Sequence, residues 1–187
     1  MPTWLWIVVV LVALLLFGGI WIYNRLVKVR ARVNNGWSQI DVQLRRRYDL
    51  IPNLVATVQG YATHERELFE HVTEARSQAM DANAVPDQAQ AENQITRGIR
   101  QLFAVAENYP ELKADAGFRH LQARISELEE AIADRRELYN ESVNLNNIRI
   151  QTFPDLIVAR LFEFKPAPLL EFTEEQRRDV DLGKLFG

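Results

Sequence analysis

Two histidines are the residues best placed to do chemistry. His64 and His71 stand seven positions apart in "THERELFEHVTEA", a spacing that puts both on roughly one face of a helix, with Glu67, Glu70 and Glu74 beside them. Imidazoles among carboxylates are a donor set for a divalent metal. The finer spacing argues otherwise: Leu68 occupies the position at which both H-E-x-x-H and Glu-x-x-His would need a different residue. A phosphotransfer histidine fits no better, because Glu65 and Glu67 flank His64 and their charge opposes a phosphorylated imidazole. The simpler reading is a solvated helix face, and no metal or cofactor is expected. His120 precedes an apolar stripe and reads as a helix-start residue.

Other reaction chemistries find no support. The 187 residues include no cysteine, which removes thiol nucleophiles, disulfides and Cys-based zinc sites. There is no glycine-rich phosphate loop, no G-x-S-x-G and no kinase-type signature. Glu129-Glu130 falls in a heavily charged helix and reads as solvent face. The expectation is therefore no catalytic residue and no small-molecule substrate, with a membrane-tethered enzyme or sensor using the His64/His71 face as the competing reading. Arg45, Arg46 and Arg47 pose a separate question. Asp41 and Arg45 form an i,i+4 pair, and the triplet is a candidate contact for an acidic protein partner.

These residues must be positioned by helices, and the first helix begins in a different solvent. Residues 1–23 carry no charged side chain, and the run "LWIVVVLVALLLFGGIWI" from Leu5 to Ile22 is long enough for a bilayer core of about 30 Å. Trp4, Trp6, Trp21 and Tyr23 sit at its ends, where amphipathic rings favour the membrane interface. A cleaved signal would need a basic start and small residues at its cut site. "MPTW" is not basic, and Gly18-Gly19 is followed by bulky Ile20, Trp21 and Ile22. A retained anchor is expected. Arg25, Lys28, Arg30 and Arg32 follow it as headgroup contacts. Positive charge on that flank alone places the N-terminus outside and the remainder in the cytoplasm of a bacterial inner membrane, as a single-pass protein. Net charge is −3, yet Asn24 to Leu50 carries +5, leaving −8 on residues 51–187. An acidic body excludes nucleic acid as a partner.

Past the anchor, Leu26, Val29, Val33, Trp37, Ile40, Leu44, Tyr48 and Ile51 recur at three and four residues, so a helix continues, loosened at Asn34-Asn35-Gly36. Pro52 predicts a kink or short break. The stripe resumes with Leu54, Val58, Phe69, Val72 and Ala75 to about Met80. A third helix spans about 86–109, closed by Pro110, and the longest soluble pattern runs from about 114 to 152. Its first half, Leu121 to Ile132, is coiled-coil-like; its second half mixes asparagine into the seam. A short helix from Pro154 to Phe162 is expected to bury Leu156, Ile157, Leu161 and Phe162. Phe164, Leu169, Leu170 and Phe172 follow in an irregular tail as docking residues. The predicted fold class is all-α: a transmembrane helix, then an elongated antiparallel bundle of three long helices with a short C-terminal helix. Its parts are an anchor over 1–23, a bundle over 24–172 and an acidic, polar tail over 173–187.

The stretches "YNRLVKVRARVNNGWSQIDVQLRRRYDLIPNLVATVQGYATHE", "YPELKA", "YNESVNLNNIRIQTFP" and "ARLFEFKPAPLLEF", in that order between Tyr23 and Phe172, resemble those of the LemA family. The resemblance implies a bacterial single-pass protein with a cytoplasmic helical bundle, and it brings no catalytic residue with it. Asn53, Asn140, Asn144 and Asn147 fall in its signature segments and are expected to make buried interhelical hydrogen bonds. The expected function is a membrane-anchored scaffold or adaptor acting through protein contacts. Its partners would be membrane lipid, a protein of unknown identity and further copies of itself as a homo-oligomer.

Overall fold

The structure, a computed structural model, describes residues 2–82 and 84–170. Phe172 and the tail 173–187 lie outside the described residues. Among those described the regular structure is entirely helical: α1 (Thr3–Gln59), α2 (Arg66–Asp81), α3 (Val85–Glu107), α4 (Pro110–Ala114), α5 (Ala116–Arg149) and α6 (Asp155–Leu161). The all-α class holds.

α1 continues for 57 residues through both places at which an interruption was expected. At Gly36 the helix packs beside Tyr139, whose ring carbon lies 3.5 Å from where a Cβ would stand, an ordinary van der Waals distance. Pro52 lacks an N–H, so the Tyr48 carbonyl four residues back loses its helical donor. Arg76 on α2 supplies one, its Nε donating to the Tyr48 carbonyl at 2.8 Å. The helix stops instead at Gln59, where Gly60 and Ala62 donate back to the carbonyls of Ala56 and Val58. Pro110, expected only to close a helix, also opens the short α4 at its first turn.

The chain forms two compact units. One comprises, among the described residues, 40–134 with Leu170. Its core takes Ile40, Leu44, Ile51, Leu54 and Val58 from α1, Phe69, Val72 and Ala75 from α2, Ile95, Ile99 and Leu102 from α3, and Phe118, Ile125, Leu128 and Ile132 from α5. The three-and-four spacing that marks these positions in the sequence is the spacing that buries them. α2 and α3 approach so closely that a Cβ on Gly98 would lie 2.4 Å from a methyl of Val72, which is why that position has no side chain.

The other unit comprises, among the described residues, 2–39 with 135–169. Leu26, Val29 and Val33 of α1 are buried in it, as are Tyr139, Val143 and Asn146 of α5, Ile150 just beyond, and Val158 and Ala159 of α6. The irregular tail is tied to α5 by polar contacts. Asn147 accepts from the Ala167 N–H and donates to the Ala167 carbonyl, both at 2.9 Å, and the Tyr139 hydroxyl donates to the Pro168 carbonyl at 3.1 Å. Asparagine thus clamps an irregular backbone here, where helix-to-helix bonds were expected. Asn53 and Asn144 are exposed, and Asn146 is the buried one.

α6 is turned from its predicted orientation, and of the four residues expected inside, Leu156 is half-buried. Val158 and Ala159 are its buried apolar residues, whereas Ile157, Leu161 and Phe162 are exposed, as is Phe153 before it. The sequence marks those side chains as apolar and leaves open which apolar phase receives them.

Candidate functional site

The helix that carries the apolar run has one window long and apolar enough to cross a membrane, and none of that window is buried within the protein. Ile7, Leu11, Leu14 and Leu15 all stand on the outside. Trp4 and Trp6 are exposed near its start and Trp21 and Tyr23 near its end. The Arg25 guanidinium lies 5.2 Å from the centre of the Trp21 ring, a cation–π arrangement one turn beyond the run. Lys28, Arg30 and Arg32 are exposed on the same helix.

The tail reaches this place from the far end of the chain. Tyr23 packs its ring against Phe162 at 4.8 Å and against Phe164 at 5.9 Å. Phe164 is therefore half-buried on its own chain, next to the core of Leu26, Ile150, Val158 and Ala159. Leu161, Phe162 and Val158 share an apolar cleft of about 320 Å³ with Leu15, Leu16 and Ile20 of α1. Nothing in the local sequence brings residues 162 and 23 together. The signal that would have found the pairing is the excess of aromatics in "LFEFKP" over what a seven-residue helix can bury.

Within the unit Ile40–Asp134 the arginine triplet divides. Arg45 and Arg46 are exposed; the Arg45 Nε donates to Asp41 at 2.9 Å, and this bond with the carboxylate charge raises the guanidinium pKa. Arg47 is 0% exposed. It pairs with Glu92, itself 1% exposed, and with Glu129, and it donates to the Thr96 hydroxyl at 3.0 Å. The Tyr48 hydroxyl donates to Glu92. Arg47 therefore faces its own chain and offers nothing to a partner. Leu170, 5% exposed, is likewise withdrawn, while Leu169 stays exposed. The reason for Arg47 is positional: it falls one turn from Leu44 and Ile51, on the core side of α1.

His64 lies in the turn before α2 and His71 lies on it, and both are exposed. Among the described residues no group of three His, Cys, Asp or Glu side chains is arranged to hold a metal. His71 instead borders a broad groove of about 880 Å³ with Glu67, Arg97, Gln94 and Gln101. His120 is exposed on α5.

The LemA family model matches residues 36–182. The chain belongs to the LemA family. Magnetosome proteins MamQ 1 and MamQ 2 of Paramagnetospirillum magneticum are each 26% identical over 180 residues, covering 82% of this chain and 65% of theirs. Protein LemA of Metamycoplasma hominis is 26% identical over 165 residues, covering 87% of this chain and 74% of its own. The LemA-family chain thus spans 65% of the length of the first two relatives. None of these names is that of an enzyme. The family match begins at Gly36, so the membrane-proximal aromatic cluster takes residues from inside and outside it.

Proposed function

We propose that this chain is a membrane-anchored helical scaffold or adaptor, acting through protein–protein contacts and without catalysis. The observation that carries the proposal is the N-terminal part of α1: an apolar window long enough to cross a membrane, none of which is buried. Such a surface is stable in a bilayer and insoluble outside one. Basic residues Arg25, Lys28, Arg30 and Arg32 on one flank support a cytoplasmic bundle with the N-terminus outside, in a bacterial inner membrane. The relatives named magnetosome proteins carry no enzyme name, in keeping with a role without catalysis. In the other conspicuous polar group Arg47 and Glu92 are closed off from solvent and Glu129 is part-exposed.

Confinement to a membrane raises effective concentration, so copies of the chain associate through modest contacts. Exposed Arg45, Arg46 and Leu169 are the candidate contacts that remain after Arg47 and Leu170 are withdrawn. Crosslinking in intact membranes, followed by mass measurement of the detergent-solubilised full chain, tests the proposal. Multiples of the chain mass, or a reproducible second protein, are expected. A single-chain mass with no crosslinked partner overturns the scaffold reading.

A further inference from the structure

Val158 and Ala159 of α6 pack on Leu26 and Ile150. Ile157 and Leu161, one turn apart, are 60% and 75% exposed, and at 100° per residue their mean direction lies about 130° around the helix from that of Val158 and Ala159, with Val158 at the border between the two faces. A short helix that is apolar on both sides needs two apolar environments. One is its own chain.

The second is indicated by what Leu161 and Phe162 stand beside. Their cleft is walled on the other side by Leu15, Leu16 and Ile20, residues inside the apolar run. Leu15 lies seven residues before Ile22, about 10 Å along the helix. Whatever surrounds Leu15 and Ile20 must therefore surround Leu161 and Phe162. A protein partner on this face would have to enter the same layer.

The backbone also suits such a place, because irregular chain in lipid must satisfy its own polar groups. Leu156 and Ile157 donate to the carbonyls of Thr152 and Pro154, and Phe162 and Phe164 to those of Val158 and Ala159. Of the segment's charged side chains Asp155 is buried, and exposed Arg160, Glu163 and, just beyond, Lys165 must reach the headgroups, for which the two cations are long enough.

We propose that the segment 153–164 is a second membrane-embedded element, wedged beside Leu15–Tyr23 with Leu161 and Phe162 among acyl chains and Ile157 at the interface. The proposal rests on the anchor reading, and its test separates the two. The natural chain has no cysteine, so single cysteines can be placed and labelled in the full-length protein. Leu161→Cys and Ile157→Cys are the test positions, since both side chains are largely exposed and their loss leaves the core intact. Leu14→Cys reports the anchor. Glu141→Cys, exposed on α5 next to the residues that face Gly36, lies about 20 Å beyond the run and reports water.

Each carries an environment-sensitive fluorophore in vesicles of phosphatidylethanolamine and phosphatidylglycerol, with or without lipids bearing a doxyl quencher on the chain. Emission at Leu161→Cys should fall by roughly half or more, as at Leu14→Cys, with a smaller loss at Ile157→Cys and none at Glu141→Cys. If both test positions behave like Glu141→Cys while Leu14→Cys is quenched, the wedge is refuted and the anchor stands; crosslinking of unquenched Leu161→Cys between copies would refute it in favour of a protein contact. If Leu14→Cys is also unquenched, the anchor itself fails.

Discussion

Arg47 is a guanidinium with no access to water, held by Glu92 and Glu129. Removing one partner of a buried pair leaves the other charge uncompensated, at a cost of about 3–5 kcal/mol. Arg47→Met is expected to destabilise the chain by that order, and adding Glu92→Gln should recover part of the loss while keeping an acceptor for Tyr48. Chemical denaturation of the two variants in detergent checks it; equal stability of single and double variants would contradict the pairing. Tyr139 makes a pH-dependent contribution. Burial holds its phenol above the ordinary 10.0, so the folded state stays neutral where the unfolded state begins to ionise. Its stability contribution is full below about pH 10 and declines as pH rises above that value. A denaturation series from about pH 9 to pH 11 should show a decline in the parent that is smaller in Tyr139→Phe.

At the scale of an element, α1 depends on a neighbour to pass through Pro52. The Tyr48 carbonyl left free by the proline takes its hydrogen bond from Arg76 on α2, so the proline and the arginine act as a pair. A double-mutant cycle separates this from a chance contact. Arg76→Ala should cost roughly 1–3 kcal/mol in the parent, as expected for a lost charged hydrogen bond. In the Pro52→Ala background, where a backbone N–H reaches the same carbonyl, the cost should be smaller. Equal costs in both backgrounds would mean that Arg76 does not substitute for the missing donor. α6 shows the opposite dependence: its helix closes on local bonds, while its orientation follows from apolar surroundings on two sides.

For the whole molecule, membrane orientation is the property on which the proposed function turns. Lys28, Arg30 and Arg32 are exposed, so changing all three to glutamate should leave the core unchanged while removing most of the flanking positive charge. A C-terminal reporter active only in the cytoplasm should report strongly in the parent. Its signal should fall several-fold in the triple variant, as the bias that retains the flank inside is lost. An unaltered signal would show that orientation is set by something other than these residues.

The sequence by itself determined the helical class, the family, the apolar run and nearly every core position of α1, α2 and α3. These properties are local: a three-and-four stripe or an uninterrupted apolar run is complete within a few turns of one helix. The Asp41–Arg45 pair was legible for the same reason. Tertiary structure decided what depended on distant residues. Arg47 reads as surface until Glu92 and Glu129, 45 and 82 positions away, enclose it. Pro52 reads as a break until Arg76 completes its helix, and Asn147 reads as a helix-to-helix contact until Ala167 arrives beside it. α6 is the sharpest case. Its residues are apolar on both sides, so composition could not choose an inward face; the choice was made by Leu26 and Ile150, which took Val158 and Ala159 and left Leu161 beside the run.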